Sequence, residues 1–200
     1  MPSWAWIAIA VGAVAAVALV ALIVWQAVRQ QRTRELRGQF GPEYERTVSS
    51  ADSKREAEVE LAARRERRER FDIRPLSVEE RARYSDEWQG VQAQFVDDPA
   101  GAVVRADSLI QSVMVDRGYP MEDFEQRAAD VSVDHPRVVE NYREGHRLFV
   151  RTSAGEGSTE DLRQAMRSYR KLFEELVEET DSDLADTRAE EGTREEVGRR

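Results

Sequence analysis

The sequence predicts an all-α protein with four parts. These are an N-terminal transmembrane helix, a charged helical spacer, an antiparallel four-helix-bundle-like domain with an extra short helix, and a disordered acidic tail. Three observations lead there. Residues 1–28 hold no charged side chain, so all 30 basic and 39 acidic residues fall in the remaining 172. Four segments between 77 and 180 repeat apolar residues at helical spacing, with start and stop signals at their ends. No segment alternates with a period of two between turn signals, so no sheet is expected. The expected partition is 1–28 for the anchor, 29–71 for the spacer, 72–180 for the bundle and 181–200 for the tail.

From Trp4 to Trp25 every residue is Trp, Ala, Ile, Val, Leu or Gly. About 20 such residues cross a hydrocarbon core as a helix. Trp4 and Trp6 at one end and Trp25 at the other stand where interfacial aromatic belts form. A cleaved signal peptide would want a basic start, a shorter apolar stretch and a small-residue cleavage site. Met1-Pro2-Ser3 and Val24-Trp25-Gln26-Ala27-Val28 supply none of these. Arg29, Arg32, Arg34 and Arg37 follow the run and none precedes it, so the positive-inside rule places the amino end outside and the long carboxyl portion in the cytoplasm. The expected location is a bacterial inner (cell) membrane, with an extracytoplasmic domain as the alternative. The four arginines set topology, and they could also attract anionic lipid.

The anchor helix should run on to about Gln39 and break at Gly41-Pro42. Ser53-Lys54-Arg55-Glu56 has capping-box spacing and should open a second helix reaching about Arg70. Val59 and Leu61 are its only sizeable apolar residues, and Glu60–Arg64 and Glu66–Arg70 are favourable i,i+4 pairs. The expectation is a solvated spacer about 25 Å long. The arginine run Arg64–Arg70 is read as a self-paired, solvated face rather than a nucleic-acid patch.

Ser77-Val78-Glu79-Glu80 is a capping box, opening a helix with Tyr84, Trp88, Val91 and Phe95 on one face. Asp97-Asp98-Pro99 restarts a helix whose stripe is Val103, Ala106, Ile110 and Val113, widened by Leu109 and Met114. Gly118 is its left-handed stop. A shorter helix, Met121 to about Val131, carries Phe124, Ala128 and Val131. Asp134-His135-Pro136 should start the next, with Val138, Val139, Tyr142, His146 and Phe149 in line. Ser153–Gly157 is a loop by composition. Ser158-Thr159-Glu160-Asp161 caps the last helix, where Leu162, Ala165, Met166, Tyr169, Leu172, Phe173 and Leu176 form the stripe. Such stripes suit helices around one core. Beyond Thr180 the chain has seven acids and four arginines but only Leu184, Val197 and two alanines as apolar side chains. That composition cannot offset the entropy of ordering.

Composition also limits function. There is no cysteine, which excludes disulfides, thiol nucleophiles and cysteine-ligated metals. A net charge of −9 argues against nucleic-acid binding, which rests on neutralising phosphates. The pair Glu-x-x-His needed by a di-iron bundle is missing, since Ser132 and Arg143 stand three before His135 and His146. A loop site from Asp130, Asp134 and His135 is disfavoured because Asp134 reads as a helix cap. No phosphate loop, dinucleotide fingerprint or nucleophile elbow is present. Neither a catalytic residue, a cofactor nor a metal is therefore expected, and the chain does not read as an enzyme.

Five stretches taken together resemble an uncharacterised family of bacterial single-pass membrane-anchored or putatively secreted proteins. They are Phe40-Gly41-Pro42-Glu43-Tyr44, Phe95-Val96-Asp97-Asp98-Pro99, Arg117-Gly118-Tyr119-Pro120, Asp130-Val131-Ser132-Val133-Asp134-His135-Pro136 and Thr159-Glu160-Asp161-Leu162-Arg163-Gln164-Ala165. The likeness covers roughly residues 35–178. It implies a bacterial source and brings no activity, ligand or catalytic residue. The functional expectation is a membrane-tethered helical interaction or scaffold module with an unidentified protein partner. Its alternative is a small-ligand sensor or enzyme with a pocket near Tyr142 and His146.

Overall fold

The computed structural model describes residues 3–178, with side chains from Ala16 onward. Eight α-helices and no strand are present among the described residues. The chain divides into two compact units between Ala62 and Ala63. That division falls inside a helix and earlier than the 71/72 boundary the composition suggested. The tail expected at 181–200 lies outside the described residues.

The first unit begins with α1 (Ser3–Phe40). Most of the Trp4–Trp25 run precedes or straddles the first described side chain. Among the described residues no helix is long and apolar enough to cross a membrane. The break falls where expected: α1 ends at Phe40 and α2 (Pro42–Ser50) starts one residue after Gly41. Pro42 takes the first helical position, where its missing N–H is no loss. The local sequence did not reveal α2, a nine-residue helix whose bulkiest apolar residue is Tyr44. It is tied to the end of α1: Arg37 Nη2 donates to Glu45 Oε1 at 2.6 Å and the same guanidinium lies 5.3 Å over the Tyr44 ring.

Ser53 Oγ accepts the Glu56 backbone N–H at 3.2 Å and so opens α3 (Lys54–Arg68). The solvated-spacer expectation is corrected here. Ala57 and Leu61 of α3 are buried, as are Leu36, Phe40 and Tyr44, while Val59 is exposed. The i,i+4 spacing of Ala57 and Leu61 makes a narrow stripe that suffices to bury one face, however charged the other is. Glu58 knits the three helices together. Its Oε1 accepts from Thr33 Oγ1 at 2.7 Å and from Tyr44 Oη at 2.9 Å.

The second unit contains the end of α3, then α4 (Val78–Asp97), α5 (Pro99–Arg117), α6 (Phe124–Asp134), α7 (Val139–Ser153) and α8 (Thr159–Glu178). It is a helical bundle of four long helices with the short α6 beside α7; α5 and α7 pack on α8, and α4 packs on α5. The capping signals of α4, α5 and α8 hold. Ser77 Oγ accepts the Glu80 N–H at 3.1 Å, and Glu80 Oε2 accepts the Ser77 N–H at 2.8 Å. The Arg74 guanidinium and that N–H hold the Glu80 carboxyl down at about 2. Asp98 caps α5, and Ser158 and Asp161 cap α8 reciprocally. Gly118 ends α5 with φ of 95°, a region that strains any residue with a Cβ. A side chain there would also run into the Asp72 carbonyl.

The core is continuous through Trp88, Val91, Val103, Ile110, Val113, Tyr142, Tyr169, Leu172 and Phe173. Trp88 and Phe173 stack with centroids 4.5 Å apart. Ile73 and Leu76, on the stretch between α3 and α4, are also in this core. Two further expectations are corrected. The short helix α6 runs to Asp134 and is capped by Asp123, whose carboxylate accepts the Gln126 N–H. Asp134 therefore ends α6 instead of capping α7, which starts at Val139 with no side-chain cap.

Candidate functional site

Three places in the structure gather candidate side chains. The first is the end of the apolar run. From Val17 to Val28 the large apolar residues of α1 are 53–69% exposed, all around the helix. Trp25 shares that exposure, and the Arg29 guanidinium lies 5.5 Å over its ring. Arg29, Arg32, Arg34 and Arg37 are exposed, with Arg37 engaged by Glu45. The side chains of Trp4 and Trp6 lie outside the described residues.

The second place surrounds Tyr142 and His146, which α7 sets one turn apart. Tyr142 is fully buried, and its hydroxyl accepts from Arg127 Nε at 3.3 Å. Burial pushes the phenol pKa up. His146 stacks on Phe124 with centroids 3.6 Å apart and a 10° interplanar angle, and Phe149 tilts against it at 6.3 Å. Burial lowers the imidazole pKa; the Asp107 charge opposes that shift. His146 Nδ1 is buried with no hydrogen-bond partner. Asp107 itself is engaged, accepting from Tyr169 Oη at 2.9 Å and from Gln111. Gly145 lets α7 approach α8, since a Cβ there would stand 2.7 Å from the Tyr169 ring. The arrangement is an aromatic cluster with one neutral imidazole at its edge.

The third place was not recognised from the sequence. Arg117, at the end of α5, is 0% exposed. Its Nη1 donates to the Leu176 carbonyl at 3.0 Å and its Nε to the Arg74 carbonyl at 3.3 Å. Nη1 also lies 3.5 Å from His135 Nε2, while His135 Nδ1 is 3.6 Å from Glu175 Oε1. The His135 contact and the cations of Arg137 and Arg117 together hold the Glu175 carboxyl below its ordinary value against the opposing effect of burial. Beside this lies an acid ladder on α6. Asp134 Oδ2 accepts from Arg68 Nε at 2.6 Å and from Tyr119 Oη at 2.8 Å. Asp130 Oδ1 accepts from Arg67 Nε at 3.0 Å and from Gln126 Nε2 at 2.9 Å. Arg67 reaches Glu122 as well, at 2.6 Å.

These contacts join the Arg117–Pro120 and Asp130–Pro136 stretches. They also correct the reading of Arg64–Arg70 as a self-paired face, because Arg67 and Arg68 are partners of α6. A signal was present. Asp130 and Asp134 are spaced i,i+4, and Arg64, Arg67 and Arg68 fall on one helical face, so opposite charges match along two helices. The loop metal reading of Asp130, Asp134 and His135 meets the same arginines, which each engage one oxygen of a carboxylate, while Asp130 Oδ2 is buried without a partner among the described residues. Among the described residues no group of three or more metal-ligating side chains gathers at one point. Comparison of the chain with protein-family models, curated proteins and solved structures finds no match.

Proposed function

We propose that this chain is a single-pass membrane-tethered helical scaffold module whose bundle faces the cytoplasm and docks a protein partner. The observation that supports it best is the sleeve of apolar side chains on α1 between Val17 and Val28, exposed on every side. A helix that is apolar all round belongs in a protein core or in lipid, and among the described residues no core packs around this stretch. Its sequence continues without a charge back to Trp4. The four arginines beyond it favour a cytoplasmic bundle by the positive-inside rule. The polar side chains of the bundle, at Arg117 and along α6, are spent on holding helices together, which suits a scaffold better than a reaction centre.

Reporter fusions at the carboxyl end test the topology. A reporter that works only in the cytoplasm should be active, and activity of a periplasm-only reporter would overturn the orientation. A second reading is a small-ligand sensor at the Tyr142–His146 cluster, favoured by the unpartnered His146 Nδ1. His146→Gln separates the two. A scaffold keeps its cellular phenotype in that variant, whereas a sensor loses it while melting like the parent.

A further inference from the structure

The α1–α2–α3 segment turns back toward the apolar run. Position 37 of α1 stands beside position 45 of α2 through the Arg37–Glu45 ion pair. The start of α3 meets α1 at Thr33, one turn after Arg29. Thr33 Oγ1 donates to Glu58 Oε1 at 2.7 Å, and Lys54 Nζ is 3.7 Å from the same oxygen. Burial opposes the Glu58 charge, but hydrogen bonds from Thr33 and Tyr44 and the cations of Lys54 and Arg29 outweigh it and lower its pKa. Lys54 thus stands at the carboxylate that Thr33 reaches, one turn after Arg29 and two after Trp25.

Four exposed cations share this level: Arg29 and Arg32 from α1, Lys54 and Arg55 from α3. Asp52 and Glu56 are the exposed acids on the same turns, which leaves the ring net positive. We propose that the α2–α3 turn seats on the membrane surface and that Arg29, Arg32, Lys54 and Arg55 form a collar for the phosphates of anionic lipid headgroups. The proposal rests on the anchor reading. Its occupant follows from continuity: the collar begins where the exposed apolar sleeve ends, at the depth of headgroups. Guanidinium groups suit the task, since their fork of donors matches phosphate oxygens.

The test uses the full chain in phosphatidylcholine vesicles carrying trace spin-labelled phosphatidylglycerol or phosphatidylcholine. Electron paramagnetic resonance gives the ratio of their association with the protein. The parent is expected to favour phosphatidylglycerol by about tenfold and K54Q/R55Q to lose most of that preference, since a basic side chain near an anionic surface contributes about 1 kcal/mol. K54R/R55K should keep the parent ratio. Arg55→Gln alone, at an exposed side chain, should lose part of it without touching the Glu58 contacts. An unchanged ratio in both glutamine variants overturns the collar. An alkaline carbonate wash separates the two readings. If the chain washes off, the anchor fails and the collar with it; if it stays while the ratio is unity, the collar alone fails.

Discussion

His146 lies face to face with Phe124, and its burial sets its response to pH. Burial disfavours the imidazolium, so its folded pKa lies below the ordinary 6.5. Between those values the unfolded chain holds a proton that the folded chain does not. The contribution of His146 to stability is therefore full above about pH 6.5 and is lost as pH falls through that value toward the folded pKa. The depressed carboxyls of Glu80 and Asp161 change charge far below this window. Melting of the parent should drop between about pH 7.5 and about pH 5.5, and His146→Gln should make that drop shallower. Equal slopes would mean that the imidazole is protonated as easily in the fold as in water.

At the level of elements, two contacts on α8 decide how closely its neighbours pack. Gly145→Ala pushes a methyl into the Tyr169 ring, so either α7 or the ring must move. Overpacking of that kind costs about 1–3 kcal/mol. Trp88 fills the α4–α8 contact by stacking on Phe173, and its Nε1 is buried without a partner. Trp88→Ala should cost about 3–5 kcal/mol. Trp88→Phe should cost much less, because it also removes the unsatisfied donor. Urea unfolding of the three variants checks the order. The stripes and caps behind these contacts were legible because each is local: Ser77 with Glu80, Asp98 before Gly101 and Ser158 with Asp161 lie within four residues. Helix α2 was not legible, since Glu43-Tyr44-Glu45-Arg46-Thr47 has no apolar period and is fixed by Arg37 from the preceding helix.

Across the whole chain, the ion pairs between the end of α3 and α6 decide where the bundle begins. Charge pattern within one helix cannot say whether an arginine pairs with its neighbour or with a partner more than sixty positions away, as Arg67 and Arg68 do. A fragment of residues 63–178 keeps those pairs and one of 72–178 loses them. The longer fragment should be more stable by about 2 kcal/mol, a value discounted for the partial exposure of both arginines. Equal denaturation midpoints would return the boundary to residue 72. Arg117 joins even more distant parts, tying the end of α5 to carbonyls 43 and 59 positions away. Such a clamp needs α5, α8 and the stretch before α4 to have met, so it is expected to close late in folding. Arg117→Met should consequently leave the refolding rate nearly unchanged and speed unfolding instead, the mark of a residue that governs how long the native state lasts.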